Sequence, residues 1–429
     1  METDQRKPKK TILRSVSMIV AAALLIGTIS AVSGVVERKE GLEKNEPFFE
    51  HKEDYDVLFI GSSHVINGIY PMQLWNDQGI VSYNLGGHGN RIPASYWVMM
   101  MALQYTTPRL IVLDCWGIQD EKLITGDHES IHQSFDAFPL SRTKVDAVWD
   151  LFEDDLTRME IIWKYSIYHN RWKDITEEDF TYKPSCEKGA EYRIGLKSGS
   201  GYCHTDTVFQ GDTPGTEYLV RIIQECKKRQ IDLLLINLPY NASEEEAEGA
   251  NRVGRIAGEN GIDYLDMMKL DIVDPDTDYY DDSHLNPKGA EKATRYLGQY
   301  LTEKYHIPDQ RDNAAYAYWY DEYDEYSEFK KKCLSEEESM ASYLMLLSDE
   351  GYDARILVNN DKIYDNPLYS KLLDTAGVCE DAADTGQEPD LLISVYDRET
   401  GDIIDRVGFT FDTKDDIEED SIVTTGAYR

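Results

Sequence analysis

Short apolar runs, separated by stretches of helical periodicity, constrain the fold of this chain more than any other feature. Examples are "DVLFI" at 56–60, "IVSYN" at 80–84 and "IDLLLINLPYN" at 231–241. Runs of this kind are typical of strands buried on both faces of a parallel sheet. The helical stretches between them supply the crossovers that parallel strands need. We therefore predict an α/β domain of three layers, in which helices cover both faces of a flavodoxin-like parallel sheet.

The predicted domain covers residues 55–306, with an insertion at about 121–212 that lies over the sheet edge. Its predicted strands are 56–60, 80–84, 109–116, 231–241 and 262–268. Its predicted helices are 71–79, 92–108, 213–230, 243–261 and 286–305. The last helix begins behind an Asn cap with Pro287 at its first position, which is a common helix start.

The N-terminus carries the pattern of a membrane helix. Residues 15–36 contain no charged residue, and the basic stretch "KPKKTILR" precedes them. That length spans a bilayer core, and the basic flank belongs on the cytoplasmic side, so 1–14 would be a cytoplasmic tail. A cleaved signal peptide is the alternative, because small residues precede Gly34. We favour an uncleaved single-pass anchor in the cell membrane, and both interpretations make the rest of the chain extracytoplasmic.

Three further segments complete the predicted organisation. Residues 37–54 are charged and lack periodicity, which is typical of a spacer beside a membrane. The Tyr- and acid-rich stretch 307–332 is predicted to be a linker. Residues 333–429 are predicted to form a small acidic α+β domain with a hairpin around "RETGD" at 398–402. The formal net charge of −36 repels nucleic acid, so we predict no nucleic-acid partner.

Polar, glycine-containing loops follow several of the predicted strands. They are "GSSH" at 61–64, "NLGGHGN" at 84–90, "WGIQD" at 116–120 and "YYDDSHLNPKGA" at 279–290. The carboxyl ends of parallel strands meet at one edge of a sheet, where sites in this architecture lie. We therefore expect the four loops to converge on one site.

The residue types in these loops suit nucleophilic catalysis. A serine hydroxyl needs a neighbouring base, and a neutral imidazole supplies one. The imidazole needs an acceptor that fixes its tautomer, and Asp281 precedes His284 by three residues on one short loop. Backbone N–H groups at Ser63 and in 86–89 are available to a developing oxyanion, together with a side-chain amide after the third strand.

The loops resemble the conserved blocks of the SGNH (GDSL-like) hydrolases. The first block of that family is Gly-x-Ser, which matches Gly61 and Ser63, and its fifth block is Asp-x-x-His, which matches Asp281 and His284. The resemblance implies that Ser63 is the nucleophile, that His284 is its general base and that Asp281 orients the imidazole. It covers roughly residues 55–306 without the insertion.

The oxyanion hole implied by the resemblance departs from the family at one position. The second block matches 84–89, so the N–H groups of Ser63 and Gly89 are the implied donors. The third block of the family is Gly-x-Asn-Asp, whereas this chain has "GIQD" at 117–120. Gln119 stands where the family has the Asn donor, and its side chain is longer.

The anchor and the stretch "GSSHVINGIYP" resemble a narrower set, the membrane-anchored members similar to D-alanine transfer proteins and cell-envelope O-acyltransferases. This implies an acyl-ester hydrolase or O-acyltransferase that acts on cell-envelope polysaccharide, with an envelope glycan or acyl donor as substrate. It also implies a multi-spanning membrane O-acyltransferase as partner and no cofactor. The alternative is a non-catalytic assembly or acylation accessory protein with a vestigial site, which Gln119 motivates.

One motif points to different chemistry. Residues 128–132, "HESIH", have the HExxH spacing of zinc proteases, which places two imidazoles on one helix face. The surrounding sequence is not strongly apolar and offers no obvious third ligand. We therefore predict no metal site.

Overall fold

A computed structural model describes residues 6–37, 42–50, 54–181, 183–199, 201–381, 389–410 and 423–424. The strands are β1 (Val57–Gly61), β2 (Ser82–Gly86), β3 (Leu110–Asp114), β4 (Asp232–Asn237), β5 (Asp263–Asp266), β6 (Tyr352–Val358), β7 (Val378–Asp381), β8 (Leu391–Asp397), β9 (Ile403–Thr410) and β10 (Val423–Thr424). The helices up to the end of the insertion are α1 (Arg6–Val36), α2 (Leu42–Asn45), α3 (Pro47–Glu50), α4 (Ser63–Gly68), α5 (Pro71–Gln78), α6 (Ile92–Ala102), α7 (His128–Phe135), α8 (Arg142–Leu151), α9 (Asp155–Ile162), α10 (Tyr165–Tyr168) and α11 (Glu178–Thr181). The later helices are α12 (Pro214–Arg229), α13 (Glu244–Asn260), α14 (Pro287–Tyr305), α15 (Tyr318–Glu336), α16 (Met340–Leu346) and α17 (Pro367–Ala376). Short 3₁₀ helices cover His169–Lys173, Met267–Lys269, Ala314–Tyr316 and Asp361–Asp365.

The first five strands form a parallel sheet in the order β2-β1-β3-β4-β5. This is the flavodoxin-like order, whose ligand site lies at the carboxyl ends of the strands near β1 and β3. Alternate residues of β1 face opposite layers: Leu58 and Ile60 pack with α6, α12 and α13, whereas Val57 and Phe59 pack with α4 and α14. The three-layer α/β fold predicted from the apolar runs is confirmed.

Two local features differ from the sequence prediction. The helix predicted at 92–108 ends at Ala102. The residues after α6 contact the segment just before β1. The Thr106 hydroxyl accepts the Tyr55 N–H at 3.2 Å and donates to Asp54 at 3.1 Å. The second difference is α4, a six-residue helix that begins directly after β1 and was not predicted.

The C-terminal part contains a second sheet, in the order β10-β9-β8-β6-β7. Only the pair β6/β7 is parallel among these described strands, and β8 and β9 form the predicted hairpin around 398–402. Helices α16 and α17 contribute to its core, which confirms a small α+β domain. Helix α15 runs through the predicted boundary at 332/333. Residues 382–388, 411–422 and 425–429 lie outside the described residues.

Helix α1 is long and apolar enough, over Leu13–Val36, to cross a membrane. Its C-terminal end contacts the insertion. The Arg171 guanidinium donates to the carbonyl oxygens of Val36 at 3.0 Å and Glu37 at 2.9 Å. Lys164 pairs with the Glu37 carboxylate at 3.0 Å. The insertion therefore lies on the side of the domain from which α1 emerges. Residues 38–41 and 51–53 of the predicted spacer lie outside the described residues.

Candidate active site

The loop after β1 presents Ser63 at the first position of α4. Gly61 is required here because a Cβ at this position would lie 2.7 Å from Asp114 Cβ and from Val65 Cγ2. Ser62 is the N-cap of α4, and its hydroxyl accepts the His64 N–H at 3.2 Å. The two serines therefore have different positions, since Ser62 caps the helix while Ser63 begins it.

Ser63 and His284 meet across the edge of the sheet. Ser63 Oγ lies 2.7 Å from His284 Nε2. On the other side of the ring, His284 Nδ1 lies 2.9 and 3.0 Å from the two oxygens of Asp281. These contacts form an unbroken hydrogen-bonded chain from hydroxyl to carboxylate, which we call the Ser63–His284–Asp281 chain. Such a chain can activate a serine as a nucleophile.

The backbone around Asp281 fixes the carboxylate before any substrate binds. One Asp281 oxygen accepts the N–H groups of Ser283 at 2.7 Å and His284 at 2.8 Å. Burial alone would raise the pKa of Asp281, but hydrogen bonds from the His284 ring and the Ser283 N–H outweigh it and lower the pKa. The carboxylate is therefore ionised at neutral pH. It accepts the His284 Nδ1–H, which leaves Nε2 to accept the Ser63 hydroxyl proton.

The loop after β2 lies directly beside the Ser63 loop. Gly61 and Gly86 are paired in the sheet, and the Gly87 N–H donates to the Gly61 carbonyl at 3.0 Å. Gly89 has φ +67°, and a Cβ there would collide with the carbonyl of Thr125. The Thr125 N–H in turn donates to the Gly89 carbonyl at 3.0 Å. Gly89 thus holds a conformation that suits glycine, although its role as an oxyanion donor stays a prediction.

The side chain of Gln119 packs toward α13. A Cβ on Gly249 of that helix would lie 2.5 Å from Gln119 Oε1 and 3.2 Å from Ile118 Cγ2. Gly249 thus makes room for the third loop to approach α13 closely. The role of Gln119 as a third oxyanion donor also stays a prediction.

Asp114, at the end of β3, supports the Ser63 loop from below. It is buried, and its Oδ2 accepts the Ser62 hydroxyl at 3.2 Å. Burial raises the pKa of Asp114 to about 6, although hydrogen bonds from the Leu238 N–H and from Ser62 act in the opposite direction. Asp114 was not among the predicted site residues. A carboxylate that ends an apolar strand was the available signal.

A cluster of aromatic rings lies behind the Ser63–His284–Asp281 chain. The His64 ring stacks on Tyr240 with 4.7 Å between centroids, meets Trp116 edge-on at 4.8 Å, and lies 5.4 Å from the ring of His284. Burial, assisted by the charges of His284 and Arg91, lowers the pKa of His64 well below its usual value. The ring is therefore neutral at pH 7 and places no positive charge beside His284.

Arg91 holds the third loop in place. Its guanidinium carbon lies 3.5 Å from the centroid of the Trp116 ring, and its Nε pairs with Asp120 at 2.6 Å. A Cβ on Gly117 would meet the Arg91 side chain at 2.8 Å, so a glycine is needed between Trp116 and Asp120. No local pattern predicts this contact, because Arg91 and Trp116 lie on different loops.

Part of the insertion contacts the elements that carry Ser63 and His284. Glu191 donates its N–H to Ile66 of α4 at 3.1 Å, and the Lys197 N–H donates to Tyr279 at 3.0 Å. The Glu191 carboxylate accepts from His88 Nε2 at 2.9 Å. Burial would raise the pKa of Glu191, but the hydrogen bond from His88 and neighbouring positive charges lower it to about 2. The insertion was predicted to lie over the sheet edge, and this segment also contacts α4 and the loop that carries Tyr279.

Comparisons with known proteins give distant likenesses. Neither a protein-family profile nor a curated protein sequence matches the chain. Among solved structures, it is similar to a protein assigned to the G-D-S-L family of lipolytic proteins from Desulfitobacterium hafniense DCB-2. The identity is 12%, the TM-score is 0.30, and the match covers 57% of this chain and 97% of that one.

A second similar structure is the acetyl xylan esterase Est2A from the rumen bacterium Butyrivibrio proteoclasticus. The identity is 10% and the TM-score is 0.24, with 58% of this chain and 64% of that one covered. At this level of identity and TM-score, neither likeness says which reaction this chain catalyses. The side chains around Ser63 have to carry that inference.

Proposed function

We propose that this protein is a serine-dependent acyl-ester hydrolase or O-acyltransferase that works through a covalent acyl-Ser63. One observation carries the proposal: Ser63 Oγ lies 2.7 Å from His284 Nε2, and His284 Nδ1 lies 2.9 Å from Asp281. These distances are within hydrogen-bond range, as a nucleophile, its base and the residue that orients the base require. The proposed steps use only side chains and backbone groups of this chain.

In the first half-reaction, Ser63 Oγ attacks the carbonyl carbon of the ester. His284 Nε2 takes the hydroxyl proton as the new carbon–oxygen bond forms, and the carbonyl electron pair moves onto the oxygen. Asp281 stabilises the imidazolium that results. The oxyanion receives hydrogen bonds from the N–H groups of Ser63 and Gly89. Collapse of this intermediate breaks the bond to the leaving alkoxide, which takes the proton from His284.

In the second half-reaction, the acyl group leaves Ser63. An acceptor hydroxyl attacks the acyl carbon while His284 Nε2 removes its proton, and collapse returns that proton to Ser63 Oγ. With water as acceptor, the reaction is hydrolysis and the product is a carboxylic acid. With a sugar hydroxyl as acceptor, the reaction is acyl transfer and the product is a new ester.

We assign the acyl-bearing substrate to the cell-envelope polysaccharides, with α1 as a single-pass membrane anchor and the domain outside the cytoplasm. The apolar length of α1 is compatible with this arrangement. A cavity of about 300 Å³ is lined by polar and apolar side chains, and Tyr202, His204 and Asp266 among them offer groups that suit hydrogen bonds to a sugar. Tyr202 packs with Tyr240, the residue that stacks on His64. For transfer, a multi-spanning membrane O-acyltransferase would supply the acyl donor.

The test of a catalytic Ser63 is covalent labelling of the full-length protein in detergent with a fluorophosphonate probe. We expect the wild type to be labelled, Ser63→Ala to be unlabelled and His284→Gln to react at least about 100-fold more slowly. Ser283→Ala is the matched control, since it changes a serine in the catalytic loop but keeps the N–H that Asp281 accepts. A folded wild type that resists the probe would instead support the non-catalytic accessory role.

A second experiment separates hydrolysis from transfer. Turnover of a chromogenic acetate ester is measured with and without an envelope oligosaccharide, and the products are analysed by mass spectrometry. Faster release of the chromophore together with acetylated oligosaccharide would identify a transferase. Free acetate at an unchanged rate would identify a hydrolase.

A further inference from the structure

Helices α7 and α9 of the insertion bring together three side chains of the kind that bind transition metals. One ligand atom from each of His128, His132 and Glu160 lies within 4.8 Å of the other two. His128 Nε2 is 2.8 Å from Glu160 Oε2, and the two imidazole centroids are 4.6 Å apart. The histidines lie one helical turn apart, so α7 presents both on one face. These residues are separate from the Ser63–His284–Asp281 chain.

The two ring nitrogens of His132 have different surroundings. The side chain is only 5% exposed, and its Nδ1 lies 2.9 Å from the carboxylate of Asp136. Its Nε2 is buried and has no hydrogen-bond partner among the residues that the structure describes. In a neutral imidazole, donation from Nδ1 to the carboxylate leaves a lone pair on Nε2. A buried lone pair without a donor is costly, and a bound cation would satisfy it.

A carboxylate that supports a histidine in this way is common around metal ions. A ligating histidine usually donates its other ring N–H to a carboxylate, which fixes the tautomer and orients the ring. Asp136 has this relation to His132 and is itself fixed, since its second oxygen accepts the Tyr168 hydroxyl at 2.9 Å. The arrangement therefore supplies both the ligands and the residues that orient them.

We propose that His128, His132 and Glu160 bind one transition-metal dication, with Zn²⁺ the best fit, and that water completes its coordination. Two imidazoles and one carboxylate suit zinc, whereas magnesium and calcium prefer ligands that are all oxygen. Tetrahedral bonds of about 2.0–2.1 Å put the ligand atoms roughly 3.3 Å apart. The ligand atoms now lie up to 4.8 Å apart, so the wider separations have to close. His128, whose side chain is 56% exposed, is the residue that rotates inward to close them.

The ion has a structural role in this proposal. In zinc proteases with the HExxH spacing, the glutamate between the histidines is the general base. Here that residue is Glu129, which is exposed and is not one of the three clustered ligands. The third ligand, Glu160, comes from α9, so the ion links two helices of the insertion. It therefore stabilises the insertion on the side near α1.

The test is a zinc titration of the full-length protein in detergent, prepared without a histidine tag and treated with a chelator. Isothermal titration calorimetry is expected to give one Zn²⁺ per chain, with affinity at least tenfold lower in His128→Ala and in Glu160→Gln. Asp136→Asn is expected to weaken binding by about 10–100-fold. Glu129→Gln and His169→Gln, on the same insertion, are the matched controls and should bind as the wild type does.

Thermal unfolding gives a second readout. Saturating Zn²⁺ is expected to raise the Tm of the wild type by about 3 °C or more, and to leave the Tm of His128→Ala unchanged. His128 and Glu160 are chosen because they are more exposed than His132, so the variants are expected to fold, which circular dichroism checks. Absence of stoichiometric binding, or equal affinity in the wild type and in both ligand variants, would overturn the proposal.

Discussion

The Ser62 hydroxyl donates to the buried carboxylate of Asp114 at 3.2 Å, while Oγ of the next residue, Ser63, lies 2.7 Å from His284 Nε2. The two adjacent serines thus have different hydrogen-bond partners. Ser62 stabilises the loop, whereas Ser63 is the proposed nucleophile. This division has consequences that can be measured separately.

Ser62→Ala is expected to reduce stability more than it reduces activity. The substitution removes the N-cap of α4 and a hydrogen bond to Asp114, for a loss of about 1–2 kcal/mol in the free energy of unfolding. The rate of fluorophosphonate labelling is expected to fall less than tenfold, because Ser63 and its base remain. Urea unfolding and labelling kinetics check the two halves. If Ser62→Ala removed all labelling and Ser63→Ala did not, the assignment of the two serines would be reversed.

The raised pKa of Asp114 predicts a pH dependence of stability. Burial favours the protonated carboxyl in the folded state, so its contribution is fully present below the unfolded pKa near 4 and is lost as the pH rises through 6. Asp114→Asn lacks this titration. The variant should therefore gain stability relative to the wild type, by up to about 3 kcal/mol, between pH 4 and pH 7.

This comparison requires urea midpoints of both proteins at several pH values. Asp206→Asn, which changes an exposed carboxylate, is the control and should show no such gain. A difference between Asp114→Asn and wild type that stays constant with pH would contradict the expected titration of Asp114.

Asp281→Asn is expected to lower kcat by about 10²–10⁴-fold with an acetate ester, because an amide does not hold the imidazole in the required tautomer. The pKa of Asp281 is lowered, so the wild-type carboxylate stays ionised above about pH 5. The ratio of the wild-type kcat to the Asp281→Asn kcat should therefore be constant above that pH and should decrease only below it. Asp282→Asn is the control, since Asp282 is exposed and pairs with Lys197 rather than with His284. Equal losses in the two variants would argue against a specific role for Asp281.

Much of the architecture follows from local sequence patterns. The apolar runs predict the parallel strands, since a strand that is buried on both faces has apolar residues at nearly every position. The spacing of Asp281 and His284 likewise predicts a local contact, and Asn286 was recognised as the cap of α14. The short helix α4 was not predicted, because six residues are too few to show a helical period.

Features that depend on contacts distant in sequence were not predictable. Thr106, which follows the end of α6, donates a hydrogen bond to Asp54, and the two residues lie 52 positions apart. Glu191 borders the site from a segment without periodicity, and nothing in its own neighbourhood marks it. A third ligand for the two histidines of "HESIH" was likewise not predictable, because Glu160 lies on another helix.

Gly89→Ala is expected to lower kcat by at least about tenfold. Alanine at φ +67° is strained, and its Cβ would collide with the Thr125 carbonyl, so the loop that carries the proposed oxyanion donor has to move. Gly401→Ala is the matched control, because Gly401 has φ +74° with nothing within 4 Å of a Cβ and lies in the C-terminal hairpin. Kinetics with an acetate ester measure the effect. Equal activity in both variants would remove Gly89 from the oxyanion hole.

Gln119→Ala tests whether the third loop contributes a donor. Loss of one oxyanion donor costs about 10²–10³ in kcat. The Gln119 amide oxygen lies against Gly249 of α13, so we expect a loss smaller than tenfold, with a modest change in stability from the altered packing. Gln119→Asn is the informative companion, because it introduces the shorter Asn side chain that SGNH hydrolases have in the block that Gly117–Asp120 resembles. Measured kcat values decide between the roles: a loss of 100-fold or more in Gln119→Ala, with folding intact, would make Gln119 an oxyanion donor and its contact with α13 incidental.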